Sequence, residues 1–315
     1  LCSYKFLAGN NPPLLGPYSL NKRSFDHHFA EWQERERKDG RRYPELVGYR
    51  NLDELADYVD QCSSRLTKAD CLDLPPKIYQ KIYTKMHPEQ ERLYKQIEEE
   101  GRMQLRSGSE VTIDNVLTVW LRLQQVIGGF VPVDDDPENR ATECVLDDYR
   151  DLPRFQDFVR HIEQVQTGKV IIVCRFVAEC KMWLDYFGKE AVSYIGQTHY
   201  KDPDERQRNK ELFQGTEANN YEDDDPEVRV LVMNKSGARG HTFTKAASMF
   251  FYSNSFSLDD RLQTEDRPHR IGQKNAVTYF DGIAAGTLDE RLVDAYRTKK
   301  KLADIITRDD PSTWI

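Results

Sequence analysis

Residues 263–273 read QTEDRPHRIGQ, and the segments on either side of them decide the fold. Before them stand an apolar run at 248–252 (SMFFY), a polar loop, and Ser257 with Asp260 three residues on. After them comes a second apolar run at 276–281 (AVTYFD). A serine followed three positions later by an acidic residue is a helix-opening signature, so a short helix is expected near Leu258. Arg267 and Arg270 then fall three positions apart toward its far end, on one face, with Asp266 beside the first and Gly272 where the helix would stop. Two forked guanidiniums sharing a face suit the bidentate grip of phosphate oxygens. A lone RxxR is more commonly a surface helix laced with Asp–Arg pairs; the segments around this one argue for the first reading.

Further outward, short apolar runs recur at 169–174 (KVIIVC), 191–195 and 229–233 (RVLVM). Between them lie helical patterns, such as Phe155, Val159, Ile162 and Val165, and helix starts at Asp202-Pro203 with Glu205 and at Thr287 with Glu290. Continuous apolar strands alternating with helices imply a parallel sheet covered on both faces. The expected fold is therefore α/β, a doubly wound parallel sheet over 152–306, followed by a tail at 307–315. Upstream, residues 1–133 read as a mainly helical region. It holds a turn-rich stretch at 10–17 (NNPPLLGP), a charged stretch at 34–42 (ERERKDGRR) read as a solvated helix end or loop, and helical spacing at 51–59. A strand-like run at 78–86, a helix opened by Pro88, and a helical pattern at 111–129 stopped by Gly128 and Gly129 follow. Residues 134–151 are acidic and lack periodicity, so they read as a linker.

The 315 residues have room for one large or two modest domains. No run of about 18 apolar residues occurs, so no membrane partner is expected. No secretory signal is visible, and the start at Leu1 rather than Met reads as a fragment or a processed chain. The six cysteines form no CxxC pair and the seven histidines are scattered, so a metal site is not expected and reduced, intracellular thiols are. The net charge of −8 is unevenly spread. Residues 216–228 carry six acids and no base, whereas 229–301 carry 13 Lys and Arg against 8 Asp and Glu. Base gathers in the segments expected to work on a ligand.

In a doubly wound sheet the functional loops lie beyond the carboxyl ends of the strands. Three qualify: Cys174-Arg175-Phe176; Gly196-Gln197-Thr198, followed by Arg206 and Arg208; and 234–244 (NKSGARGHTFT). Glycines there let the backbone approach a phosphate closely. Their spacing, Gly237-x-x-Gly240, is not the G-x-G-x-x-G of a dinucleotide fold.

With these residues in view, the chain resembles the Swi/Snf-type branch of the superfamily 2 helicase-like ATPases. Residues 263–273 are similar to its Q-A-x-D-R-x-x-R-x-G-Q pattern, departing at Thr264. Residues from Met233 are similar to S-T-x-A-G-G-x-G-L-N-L; Gly237 and Gly240 hold their places, while Arg239 and His241 depart. The Gly196–Thr198 loop resembles a D-G-S/T segment, with Ile195 where Asp is usual. Residues 64–77 resemble R-x-x-K-x-x-x-x-x-L-P-x-K through Arg65, Lys68 and Lys77. The resemblance implies a RecA-like second motor lobe preceded by the family's helical insertion. It implies ATP and Mg²⁺ held mainly by a first RecA-like lobe, since this sequence has neither G-x-x-x-x-G-K-[ST] nor D-E-x-[HD]. By the same resemblance Arg267 and Arg270 are the catalytic arginines, and Gln263, Gly240 and Asp266 lie on the nucleotide side. Arg175, Thr198, Lys235, Ser236 and Asn254 would face the DNA backbone. The implied partners are double-stranded DNA and the first lobe, in a nucleoid or nucleus, a bacterial or viral member included. The alternative is a non-catalytic DNA- or protein-binding module that keeps the fold. On the motor reading the chain alone hydrolyses no ATP with or without duplex DNA, which a phosphate-release assay on the isolated chain checks.

Overall fold

The computed structural model describes residues 22–36, 41–60, 72–106, 113–132, 142–166, 168–196, 204–215, 227–234 and 241–298. They fall into two compact units, Leu1–Asp73 and Leu74–Ile315.

In the first unit, helix α1 (Lys22–Phe29) leads into β1 (Ala30–Glu36), which pairs antiparallel with β2 (Arg42–Tyr49). Helix α2 (Leu52–Asp60) follows. The charged stretch at 34–42, read from sequence as a helix end or loop, instead supplies the tips of both strands, with Glu36 opposite Arg42. The reason is the alternation in Ala30–Glu36, which a strand satisfies and a helix does not. Asn51, at φ 54°, turns the chain into α2, a left-handed conformation that asparagine tolerates. Glu54 of α2 reaches back to His28 Nε2 at 2.7 Å.

The second unit opens with β3 (Lys77–Thr84), α3 (Pro88–Arg106) and α4 (Ile113–Gly128). A small antiparallel pair follows, β4 (Phe130–Pro132) with β5 (Thr142–Cys144), then a 3₁₀ turn at Tyr149–Asp151. Next come α5 (Pro153–Glu163), β6 (Lys169–Val173), α6 (Val177–Phe187), β7 (Ala191–Tyr194), α7 (Glu205–Gln214) and β8 (Val230–Met233). The described chain ends with β9 (Ala246–Phe251), α8 (Leu258–Glu265), β10 (Val277–Ala284) and α9 (Leu288–Arg297). The main sheet has the order β3-β10-β9-β6-β8-β7, and every pairing in it is parallel.

Alternate residues of each central strand feed opposite faces. Val170 and Ile172 of β6, with Val230 and Val232 of β8, bury one way against Phe155, Phe158 and Trp183 of α5 and α6. Ile171, Val173, Leu231 and Met233 bury the other way, with Phe213 of α7. This is the doubly wound sheet expected from the apolar runs.

The division of the chain differs from the reading that started the α/β domain at 152. β3 is an edge of the same sheet, in register with β10 from Lys77↔Val277 to Thr84↔Ala284. The apolar face of α4 (Val116, Trp120, Leu123, Ile127) closes on Leu288 and Leu292 of α9. A strand and two helices ahead of residue 133 are thus part of this unit's core. The 134–151 stretch, read as a linker, contributes β5.

Two buried charges knit these layers. Arg154, on α5, places Nη1 2.6 Å from Asp289 Oδ2 at the start of α9 and donates through Nε to the Tyr252 carbonyl at 3.0 Å. Glu179, on α6, accepts from the backbone N–H of Phe176 at 3.1 Å and of Arg175 at 3.2 Å, and from the Ser253 hydroxyl. Its other oxygen lies against Gly128, where an added Cβ would stand only 2.3 Å away. Gly129, at φ 96°, then turns the chain from α4 into β4. Burial raises the Glu179 carboxyl from 4.5 to about 7, against the opposing pull of Ser253 and the Phe176 N–H.

Removing one member of a buried ion pair strands the other charge, at a cost of about 3–5 kcal/mol. Arg154→Met is expected to lower stability by that order, read by denaturant titration, because it strands Asp289. For Glu179 the folded carboxyl binds its proton more tightly than the unfolded one. Its contribution is therefore complete below pH 4.5 and is lost as pH rises toward about 7. Melting curves from pH 4.5 to 8 should show a fall in stability across that window for the natural chain, and a smaller fall for Glu179→Gln.

Candidate functional site

At the carboxyl ends of β6 and β9 the backbone of Arg175 donates to Ser253 Oγ at 2.7 Å. The Arg175 guanidinium lies over the Phe256 ring, 3.9 Å from its centre, and donates to Gln124 Oε1 at 2.7 Å. Burial lowers its basicity to about 10, with Tyr296, Glu179 and Asp260 opposing, so it stays charged at neutral pH. Arg175 therefore stands at the mouth of this end of the sheet, stacked and half-buried. A narrow recess beside it is lined by Ser253, Ser255, Asp260, Arg261 and Thr264.

Asn254, read from sequence as a DNA-backbone contact, is 1% exposed. Its Oδ1 accepts from Arg261 at 2.6 Å, and its carbonyl accepts from Gln124 Nε2 at 3.1 Å. As placed it holds the loop together and does not face solvent. Thr198, Lys235, Ser236 and Gly240 lie outside the described residues.

Helix α8 opens as expected, with Ser257 Oγ accepting from the Asp260 N–H at 3.2 Å. It closes at Glu265, so Arg267 and Arg270 are not on its last turn; they stand in the run of turns that follows. Pro268 explains this. It lacks an N–H and its ring disfavours helical backbone at the preceding residue. The Arg267 N–H closes back on the Thr264 carbonyl at 3.0 Å, and Gly272, at φ 97°, ends the turn.

The two arginines differ. Arg267 is 6% exposed. Its Nε donates to the Gln263 carbonyl at 2.9 Å, its Nη1 to the His241 carbonyl at 3.1 Å, and its own carbonyl accepts from Phe243 N–H at 2.9 Å. It fastens the turn to the chain leading into β9. Arg270 is half-buried and touches Thr242 Oγ1 at 3.3 Å. Burial, then the Arg270 charge, lowers the Arg267 pKa, while Asp266 raises it. Gln273, buried, completes the clamp by donating to the carbonyls of Thr244, Ala246 and Pro268 at 3.0–3.1 Å. The Gln263 side chain is exposed and serves the turn through its carbonyl. Asp266 pairs with Lys77 Nζ at 3.1 Å.

Since Gln273 bonds the carbonyls of Thr244 and Ala246, the far end of the arginine turn sits at the amino end of β9. Cations gather around it. The His241 pKa is lowered by burial and by Lys210, Arg206 and Arg267. Arg206 lies over the Tyr194 ring at 4.5 Å, and His241 meets the same ring edge-on at 5.2 Å. An anion brought to Arg270 would meet positive charge from two elements. Among the described residues no group of three or more His, Cys, Asp or Glu is placed to hold a metal ion.

Sequence reading missed Arg261, a buried guanidinium joined to Glu265 and Asp281. The Arg261–Glu265 spacing of four was its available signal. It also missed Tyr79, whose hydroxyl donates to Glu265 at 2.7 Å.

The profile of the helicase conserved C-terminal domain matches residues 153–272. The chain is 25% identical over 239 residues to an uncharacterized ATP-dependent helicase of Mycoplasma pneumoniae, covering 76% of this chain and 22% of that one. It is 35% identical over 82 residues to the chromatin-remodeling ATPase INO80 of Mycosarcoma maydis, covering 26% of this chain and 4% of the relative. The chain thus spans less than a quarter of the length of these relatives. Among solved structures it resembles the Sulfolobus solfataricus SWI2/SNF2 ATPase core in complex with dsDNA, with a TM-score of 0.53, 24% identity, and coverage of 96% of this chain and 58% of that one. Parallel sheet, motif order and relatives agree: residues 153–272 match a helicase conserved C-terminal domain, and the fold is RecA-like and similar to that of Swi/Snf-type, superfamily 2 helicase-like proteins.

Proposed function

We propose that this lobe completes the ATPase of a double-stranded DNA translocase, working inside the cell on DNA. The observation that carries the reading is the arginine turn. Arg270 is held half-exposed beside Arg267, whose pKa is lowered by burial and then by the Arg270 charge. Two like charges kept together at a cost are suited to an anion that neutralises both. A first lobe would hold ATP with Mg²⁺, which supplies charge neutralisation at the phosphates. On closure Arg270 reaches the γ-phosphate and stabilises the charge that develops in the transition state. Arg267 acts mainly by fixing the turn. On the same reading Gln263, beside the arginine turn, and Gly240 serve the nucleotide.

Duplex DNA is engaged through its phosphates rather than its bases. Arg175 lies at the carboxyl end of the sheet, and with Thr198, Lys235 and Ser236 it is assigned to the DNA backbone. A relative of the same fold solved with dsDNA supports this assignment. Repeated closing and opening of the two lobes steps the protein along the duplex.

Hydrolysis measured with and without duplex DNA on the protein carrying both lobes tests the reading. Arg270→Ala should lower kcat by on the order of 10³-fold, the lower range for arginine fingers, with little change in melting temperature. Arg270→Lys should restore little of it, since an ammonium cannot reproduce the guanidinium fork. Arg267→Ala should lose both activity and stability, because its bonds hold the turn. An Arg270→Ala protein that hydrolyses ATP at the natural rate would sink the motor reading and leave a binding module.

A further inference from the structure

Helix α8 ends in a carboxylate pair, Glu265 and Asp266, and both are tied to the start of β3. Glu265 is buried; its Oε2 accepts from the Tyr79 hydroxyl at 2.7 Å and from Lys77 Nζ at 3.4 Å, while its Oε1 accepts from Arg261 Nε at 2.7 Å. Asp266 takes the same Lys77 ammonium at 3.1 Å. Three residues further on, His269 Nε2 lies 2.7 Å from the Pro75 carbonyl. A carbonyl can only accept, so Nε2 carries the proton. Pro75, Lys77 and Tyr79 are alternate residues of one extended segment, whose side-chain or carbonyl groups meet 265, 266 and 269 in turn. The Tyr79 ring also stacks on Tyr279, 5.2 Å between centres, and the Tyr279 hydroxyl donates to the Glu265 carbonyl at 2.7 Å.

The arginine turn is thus held from two sides. Arg267 and Gln273 bind it to the chain entering β9. The 75–79 segment binds it from the edge of the sheet, where the polypeptide enters this unit. We propose that Lys77 is a positioning residue for Arg270, and that the 75–79 segment is a strap setting where the arginine turn stands when the lobes close. The inference rests on the motor reading above.

The fold does not require the ammonium. Lys77 is the first residue of β3, its side chain is 22% exposed, and seven further residue pairs continue the ladder with β10. Without it Glu265 keeps Tyr79 and Arg261, and the strand keeps its register. What is lost is the ammonium's bridge from Glu265 to Asp266, which stands one residue from Arg267 and four from Arg270. A charge shared between the last residue of a helix and the first of a turn fixes the angle at which the turn leaves. A displacement of about 1 Å at a catalytic group can cost about 10²-fold in rate.

The test is DNA-stimulated ATP hydrolysis by the protein carrying both lobes, as Lys77→Met, Lys77→Arg, Arg270→Ala, and the Lys77→Met/Arg270→Ala double variant. Lys77→Met should lower kcat by about 10- to 100-fold, leave the KM for ATP and the DNA affinity essentially unchanged, and shift the melting temperature little. Lys77→Arg should recover most of the rate. The double variant should be no slower than Arg270→Ala alone, because a positioning residue has nothing left to position. Asp266→Asn probes the same bond from its other end and should reproduce the kcat loss. If Arg270→Ala collapses the rate while Lys77→Met and Asp266→Asn run at the natural rate, the strap is wrong and the motor reading stands. If Arg270→Ala itself is fully active, the motor reading fails first. Losses that add in the double variant, or that track a falling melting temperature without rescue by arginine, would make Lys77 merely structural and overturn the proposal.

Discussion

A guanidinium taken out of water must be met by carboxylates, and around Arg261 that requirement organises this unit. Its side chain is 4% exposed. It donates to Glu265 within its own helix, to Asp281 in β10 and to Asn254 in the loop after β9, with its plane 3.4 Å from the centre of the Phe251 ring. Burial works against the charge, but Asp281 and Glu265 outweigh it and raise the Arg261 pKa above its ordinary value. One side chain so fixes where α8 lies on the sheet, how the 252–256 loop leaves β9, and which way Glu265 presents its second oxygen to Tyr79 and Lys77. Each polar group is satisfied only if the others are in place, so the network specifies a single arrangement.

That arrangement divides the work of the sheet between its ends. Arg175, Ser253 and the recess beside α8 stand at the carboxyl ends. The far end of the arginine turn, fastened by Gln273, stands at the amino end of β9, while Arg206 and His241 lie over Tyr194, the last residue of β7. Helix α8 is the rigid element between them, capped by Ser257 at one end and fastened through Glu265 at the other. A change in how Asn254 or Ser255 is held at one end bears on a helix whose other end leads into the arginine turn.

The strands were legible in the sequence because each is a continuous apolar run of the length a strand needs: KVIIV, VLVM and SMFF carry no competing helical period. Thr287 and Ser257 marked the starts of α9 and α8 for the same local reason. What was not legible is what depends on distant partners. β3 reads as a strand from its isoleucines and tyrosines, but nothing in 78–86 says that it pairs with residues two hundred positions later. The hairpin at Ala30–Tyr49 hid behind charge, since a run of Glu and Arg looks solvated until Glu36 is seen opposite Arg42 across two strands. At the site, the setting of the arginines was misjudged: Pro268 ends the helix before them, and Asn254, polar and in a loop, is interior. A loop asparagine facing a phosphate and one satisfying a buried arginine have the same sequence signature.

The pairing of β3 with β10 also has a consequence in time. Lys77 and Val277 stand side by side in the finished sheet, yet a ribosome makes the first long before the second. Until β10 exists, the β3 segment has no neighbour in the sheet and exposes both edges of its backbone. Closing so distant a pair is slow relative to local structure, and Tyr79 lacks the Tyr279 ring it stacks on meanwhile. The last strand of the domain therefore completes the first, and the arginine turn just ahead of β10 is held from both sides only when that late step is done.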